Sequence, residues 1–175
     1  MSATSLLGLQ FTFSLVLSAV VASWYVWPAL KAAPASIALV PLFLVHAMRY
    51  LPSSALAPGQ IDPAVPTNVM STIAYGDLAS AILALIAALF LRYQWSGAIG
   101  VAWIVNIATS LDWLYAGFLA ASNRLATYAM GGNWYIINYY VPIIGVIHVL
   151  IFARLLMPSR TAARMDAGRT PRESR

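Results

Sequence analysis

Uncharged apolar residues run almost unbroken through five stretches of this chain, separated by short segments rich in proline, glycine or charge. The stretches fall at about residues 6–29, 35–51, 69–91, 97–121 and 134–157, each near the roughly 20 residues an α-helix needs to cross a bilayer. The second is short and contains Pro41. The pattern predicts an all-α integral membrane bundle of five transmembrane helices filling residues 1–158. A polar, basic tail at 159–175 is expected to be disordered. Ala19 to Ser23 resembles a small-residue cleavage site, but no Lys or Arg precedes the first run, so a spanning helix is expected there rather than a cleaved leader.

Polar residues inside these runs are sparse and patterned. In the third run Gly76, Ser80, Ala84 and Ala88 recur every four residues, a small-residue ridge that lets helices approach closely in lipid. Asp77 sits beside that ridge and is therefore expected to face protein. The fourth run is interrupted by Asn106, Thr109 and Asp112 at i+3 spacing, and the fifth holds Asn138, Pro142 and His148. The link at 52–68, with Pro58-Gly59, Asp62-Pro63 and Pro66, reads as a loop without regular structure.

Composition agrees with this pattern: 61% of the 175 residues are hydrophobic and 9% charged, with a mean hydropathy of +0.78. The formal charge of +5 does not imply nucleic-acid binding, because six of the ten basic residues lie at or beyond Arg154 rather than on one folded face. With five crossings, Lys31, Arg92 and the arginine-rich tail share one side, and Arg49 and Arg124 the other. The positive-inside rule then places the N-terminus outside and the C-terminus in the cytoplasm; nine arginines against one lysine, with abundant alanine, point to a bacterial source and so to a bacterial inner membrane. The absence of cysteine excludes disulfides, thiolate metal sites and cysteine nucleophiles.

Ionisable groups within membrane helices mark function by default. Counting rise along each helix from its outer end puts Arg49 within ~5 Å of the boundary, His46 within ~10 Å, Asp77 and Asp112 at ~12–14 Å and Asn138 at ~6 Å. His46, Arg49, Asp77, Asp112 and Asn138 thus converge in one leaflet as candidates for ligand binding or proton relay. Asp77 and Asp112 could share a proton as a carboxylate pair, or Asp77 could pair with Arg49, one helical turn from His46. The second arrangement is expected, leaving Asp112 without a cation and protonated. His148, at ~20 Å, is expected to lie too deep to meet His46, so haem is not expected. A metal site from His46, Asp77 and Asp112 would have only one histidine, and none is assigned.

At His46-x-x-Arg49, Pro58-Gly59 and Gly76-Asp77-Leu78 the chain resembles small uncharacterised bacterial multi-span inner-membrane proteins with a similar histidine–arginine helix, Pro-Gly link and Gly-Asp helix. The resemblance covers about residues 42–92. It implies a multi-span inner-membrane protein and lends weight to those residues, but it brings no activity. The five-span tryptophan-rich sensory proteins are similar in size and tryptophan content, but their tryptophan and proline motifs are not found in order here. Two functional classes follow. One is a membrane protein that binds a small ligand or relays protons through the polar cluster. The other is a non-catalytic subunit or assembly factor whose ridge docks a second copy or a partner's membrane helices. No nucleophile–base pair points to an enzyme.

Overall fold

A computed structural model of the chain describes residues 1–157, and the tail expected to be disordered at 159–175 lies outside the described residues. Five helices are long and apolar enough to cross a membrane: α1 (Ala3–Ala32), α2 (Ala35–Leu56), α3 (Thr67–Arg92), α4 (Ala98–Ser122) and α5 (Asn133–Leu156). No strand occurs among the described residues. Within these helices the backbone hydrogen bonds are made internally, which is what crossing a bilayer would require.

Proline shapes three of these helices. Pro28 and Pro142 lack the N–H that would bond the carbonyl four residues back. In each case the turn just before the proline widens into a π-helical segment, Ala22–Val26 in α1 and Ile136–Tyr140 in α5. In α2 the α-helical part, Ala35–His46, tightens into a 3-10 helix over Ala47–Leu56. Pro52 fits there because its fixed φ suits a 3-10 turn. The second helix consequently continues to Leu56, five residues past the end expected at Leu51.

α3 is the central element, packed on α2 and α4 along its length. Its small residues make that possible: Ala74, Ala84 and Ala87 have no exposed surface, and Ser80 and Ala88 are buried. The ridge is thus consumed inside this chain's own bundle. A main apolar core joins Leu39, Phe43, Ala88, Leu91, Ala102 and Ile151. A second, smaller one (Ala55, Val65, Val69, Met70, Leu125, Met130) lies under the two longer links. Those links hold each other, since the Asp62 N–H donates to the Ala129 carbonyl at 2.8 Å. The 57–66 segment is therefore tied down rather than free.

α1 is packed differently. None of the residues Ala3–Val21 is buried, and its neighbours are chiefly the segments of α5. Two polar contacts fasten it there. Trp134 Nε1 donates to Gln10 Oε1 at 2.9 Å. At the opposite end Arg154 donates to the carbonyls of Leu30 and Ala33 at 2.9 and 2.7 Å. Arg154, grouped with the tail from its charge, is a buried part of the bundle.

Candidate functional site

The change of helix type in α2 determines where its polar side chains lie. A 3-10 helix rises about 2.0 Å per residue against 1.5 Å for an α-helix. Arg49 therefore lies about 14 Å from the Leu56 end of α2, where a span ending at Leu51 would have left it near the boundary. Asp77 is about 15 Å from the Thr67 end of α3, and Asp112 about 15 Å from the Ser122 end of α4. Three charged groups on three helices meet at one level.

Their contacts are specific. Arg49, 2% exposed, donates from Nε and Nη2 to Asp77 Oδ1 at 2.8 and 2.6 Å. The same Nη2 donates to Asp112 Oδ2 at 2.7 Å, and Nη1 donates to the Thr109 carbonyl at 2.8 Å. The Ser80 hydroxyl donates to Asp112 Oδ2 at 2.9 Å. The other oxygen, Asp112 Oδ1, lies against Gly76, where a Cβ would overlap it. Glycine at 76 is thus what admits the carboxylate between α3 and α4. The expectation that Asp112 has no cation is overturned, because the planar guanidinium has enough donors to serve two carboxylates and a carbonyl at once.

The histidines form an adjoining group. His46 and His148 have ring centroids 4.2 Å apart, contrary to the depth separation expected from the sequence. The extra length of α2 accounts for it: His46 lies about 20 Å from Leu56, and His148 about 22 Å from Asn133. The two rings lie against one another, which leaves no space for the plane of a haem between them. Asn106 Nδ2 donates to the His148 carbonyl at 3.3 Å, so its Oδ1 faces the imidazole and accepts from His148 Nδ1 at 2.9 Å. Ser110 Oγ donates to the Asn106 carbonyl at 2.6 Å and lies 2.8 Å from the same Nδ1. An amide oxygen is acceptor-only, which fixes the proton of His148 on Nδ1. In the neutral ring Nε2 then carries the lone pair. His148 Nε2 and both ring nitrogens of His46 are buried with no hydrogen-bond partner. Tyr140 completes the surroundings by donating its hydroxyl to the Val45 carbonyl at 2.8 Å.

A family model described as a domain of unknown function, DUF8737, matches residues 6–156. The chain belongs to that family. The match takes in all five helices of this DUF8737 chain and every residue of its polar cluster. No curated protein and no solved structure matches the chain. The description of this DUF8737 family carries no activity.

Of the candidates named from the sequence, Arg49, Asp77 and Asp112 are brought into contact. His46 lies one 3-10 turn from Arg49, where residues i and i+3 eclipse, but bonds to none of the three. Asn138 is elsewhere: it lies in the π-helical turn of α5, donates from Nδ2 to the Trp134 carbonyl at 2.9 Å, and lines a cleft against α1. Among the described residues no three His, Asp or Glu side chains gather as a metal site. Ser110 and Tyr140 were not anticipated. Nothing in their spacing marks them, because each is defined by a partner on another helix.

Proposed function

We propose that this chain is an integral membrane protein that takes up and passes on a proton at Arg49, Asp77 and Asp112. In this reading the N-terminus and the two longer links face outward in a bacterial inner membrane. The observation that carries it is one buried guanidinium shared by two carboxylates. With both carboxylates ionised the cluster holds one positive and two negative charges, and an uncompensated charge inside a bundle is strongly disfavoured. One bound proton makes it neutral. Asp112 is the carboxylate a proton reaches, since its side chain is 26% exposed against 11% for Asp77. Its Oδ1, over Gly76, is the oxygen not engaged by Arg49 or Ser80. The neighbouring imidazoles, with unpartnered nitrogens, offer the next acceptors toward the opposite side.

The test is infrared difference spectroscopy of the purified protein in lipid, stepping pH and reading the protonated-carboxyl C=O band. A titrating band is expected in the wild type and should be lost in Asp112→Asn and in Asp77→Asn alike, because either variant leaves one carboxylate for one guanidinium and no excess charge for a proton to cancel. No titrating carboxyl band in the wild type, or one that persists in either variant, overturns the proposal. Orientation is tested with a membrane-impermeant maleimide, for which the cysteine-free chain is well suited. Gln60→Cys should label in intact cells and Ser96→Cys only after permeabilisation, and the reverse result overturns the orientation.

A second reading, a non-catalytic subunit or assembly factor, has one observation in its favour: α1 has no buried face over Ala3–Val21. Since the small-residue ridge is used internally, a second copy or a partner would dock on an outer face such as that of α1. Native mass spectrometry of the detergent complex separates the readings, a stoichiometric protein partner favouring this one.

A further inference from the structure

Between α1 and the first turns of α5 lies a cleft of about 420 Å³, separate from the charged cluster. Its walls are largely aromatic and apolar, with Phe13, Trp134 and Tyr139 among them, and three uncharged polar side chains, Gln10, Ser14 and Asn138, complete the lining. No charged side chain lines it among the described residues. The donor and acceptor roles of the two amides are fixed by their common neighbour. An indole N–H can only donate, so Trp134 Nε1 holds the oxygen of Gln10 and turns its NH2 away. The Trp134 carbonyl can only accept, so it holds the nitrogen of Asn138. Asn138 Oδ1 is then left over. It is buried with no partner, on a side chain 6% exposed, at a depth where water is scarce and an unpaired amide oxygen is costly. Asn138 is also the centre of the π-helical turn Ile136–Tyr140, and such turns within α-helices recur at functional sites.

We propose that this cleft binds an uncharged amphiphile, an apolar chain capped by a hydroxyl-bearing headgroup. The hydroxyl donates to Asn138 Oδ1 after a small turn of the side chain, since that oxygen has no accessible surface as it stands; the Gln10 NH2 donates to a headgroup oxygen, and the chain lies along Phe13 and Tyr139. A phosphate or carboxylate headgroup would find no cation there and would lose its hydration without replacement. An acceptor-only headgroup would leave Asn138 Oδ1 unpaired. No residue of α1 over Ala3–Val21 is buried, so the wall it forms stands at the outside of the bundle, where a chain can enter from the side. Two sources share this chemistry, an acylglycerol and an isoprenoid quinol.

The test uses the purified full-length protein in detergent, with saturable thermal stabilisation as the readout. The probes are dioctanoylglycerol, decyl-ubiquinol, the acetate ester of dioctanoylglycerol and dioctanoyl phosphatidic acid. At least one alcohol is expected to bind saturably, the better of the two identifying the source. The acetate ester should bind about 10-fold more weakly, the equivalent of one lost hydrogen bond, and the phosphatidic acid should show no saturable binding. Asn138→Leu should weaken the alcohol about 10-fold, and so should Gln10→Leu, which lies on an exposed helix face and keeps the test valid if Asn138→Leu fails to fold. Equal effects of all four amphiphiles, signifying lipid contact alone, overturn the proposal. So does the lack of binding by either alcohol, or wild-type alcohol affinity in Gln10→Leu.

Discussion

Removing the cation from the charged cluster should damage the protein more than removing either anion. Arg49→Met deletes four hydrogen bonds, two to Asp77, one to Asp112 and one to the Thr109 carbonyl. It leaves two carboxylates facing each other in a buried site. Breaking a buried ion pair by removing one partner costs about 3–5 kcal/mol. In Asp77→Asn the guanidinium keeps Asp112, and the loss is that of charge-assisted hydrogen bonds, about 1.5–3 kcal/mol. In Asp112→Asn a neutral pair of Arg49 and Asp77 remains intact, so the loss should be about 1 kcal/mol. At about 2–4 °C per kcal/mol for a chain of this size, Tm should fall by about 6–20, 3–12 and 2–4 °C respectively. All three are measured by thermal unfolding in one detergent at one pH. The interaction is then isolated by a double-mutant cycle, in which Arg49→Met made in the Asp77→Asn background should cost less than it does alone, because one of the stranded charges is gone. An Asp112→Asn loss equal to or larger than that of Asp77→Asn, or additive losses in the cycle, would refute this account of the cluster.

Three further outcomes are expected. Gly76→Ala should displace the Asp112 carboxylate, because its Cβ would occupy the position of Oδ1; overpacking of this kind costs about 1–3 kcal/mol, read as a lower Tm, and an unchanged Tm would show that Asp112 has room to move. His46→Phe should leave stability within about 1 kcal/mol of wild type or raise it, since it removes two buried, unpartnered nitrogens whose desolvation is uncompensated; a large fall in Tm would mean that those nitrogens have partners. Arg154→Leu should cost about 1.5–3 kcal/mol, the worth of hydrogen bonds from a charged donor, and should speed trypsin cleavage after Lys31, beside the Ala33 carbonyl it releases; wild-type cleavage would argue against a clasp on α1.

Helix number and the close-packed face of α3 were legible in the sequence because both follow from where apolar and small residues recur. Gly76, Ser80, Ala84 and Ala88 marked the close-packed face of α3, and Asp77 beside them was correctly placed against protein. The depth of α2 was not legible. Proline at 52 signalled an end, whereas the backbone tightened to a 3-10 helix over Ala47–Leu56 and continued, which set every earlier residue of α2 farther from the helix end. That one change moved Arg49 from the boundary to the level of both aspartates, and His46 from shallow to the level of His148. Whether Arg49 would serve one carboxylate or two depended on the separation of α3 and α4 at Gly76, a property of three helices together that no single stretch encodes. Asn138 was singled out as a polar residue in an apolar run, but the rise along α5 could not distinguish the face toward α1 from the face toward Arg49.

The clasp at Arg154 also bears on how the molecule is made. Chains emerge N-terminus first, so α1 is the earliest helix to leave the ribosome, yet the side chains that fasten it, Trp134 and Arg154, belong to the last one. Until α5 has been synthesised, α1 has neither the indole that engages Gln10 nor the guanidinium that engages Leu30 and Ala33. α2, α3 and α4 can meanwhile collapse on the alanine-rich face of α3. Assembly would then close as a ring, with the oldest and youngest segments joined in the final step, and a chain truncated before α5 should carry α1 as an untethered helix beside an otherwise packed core.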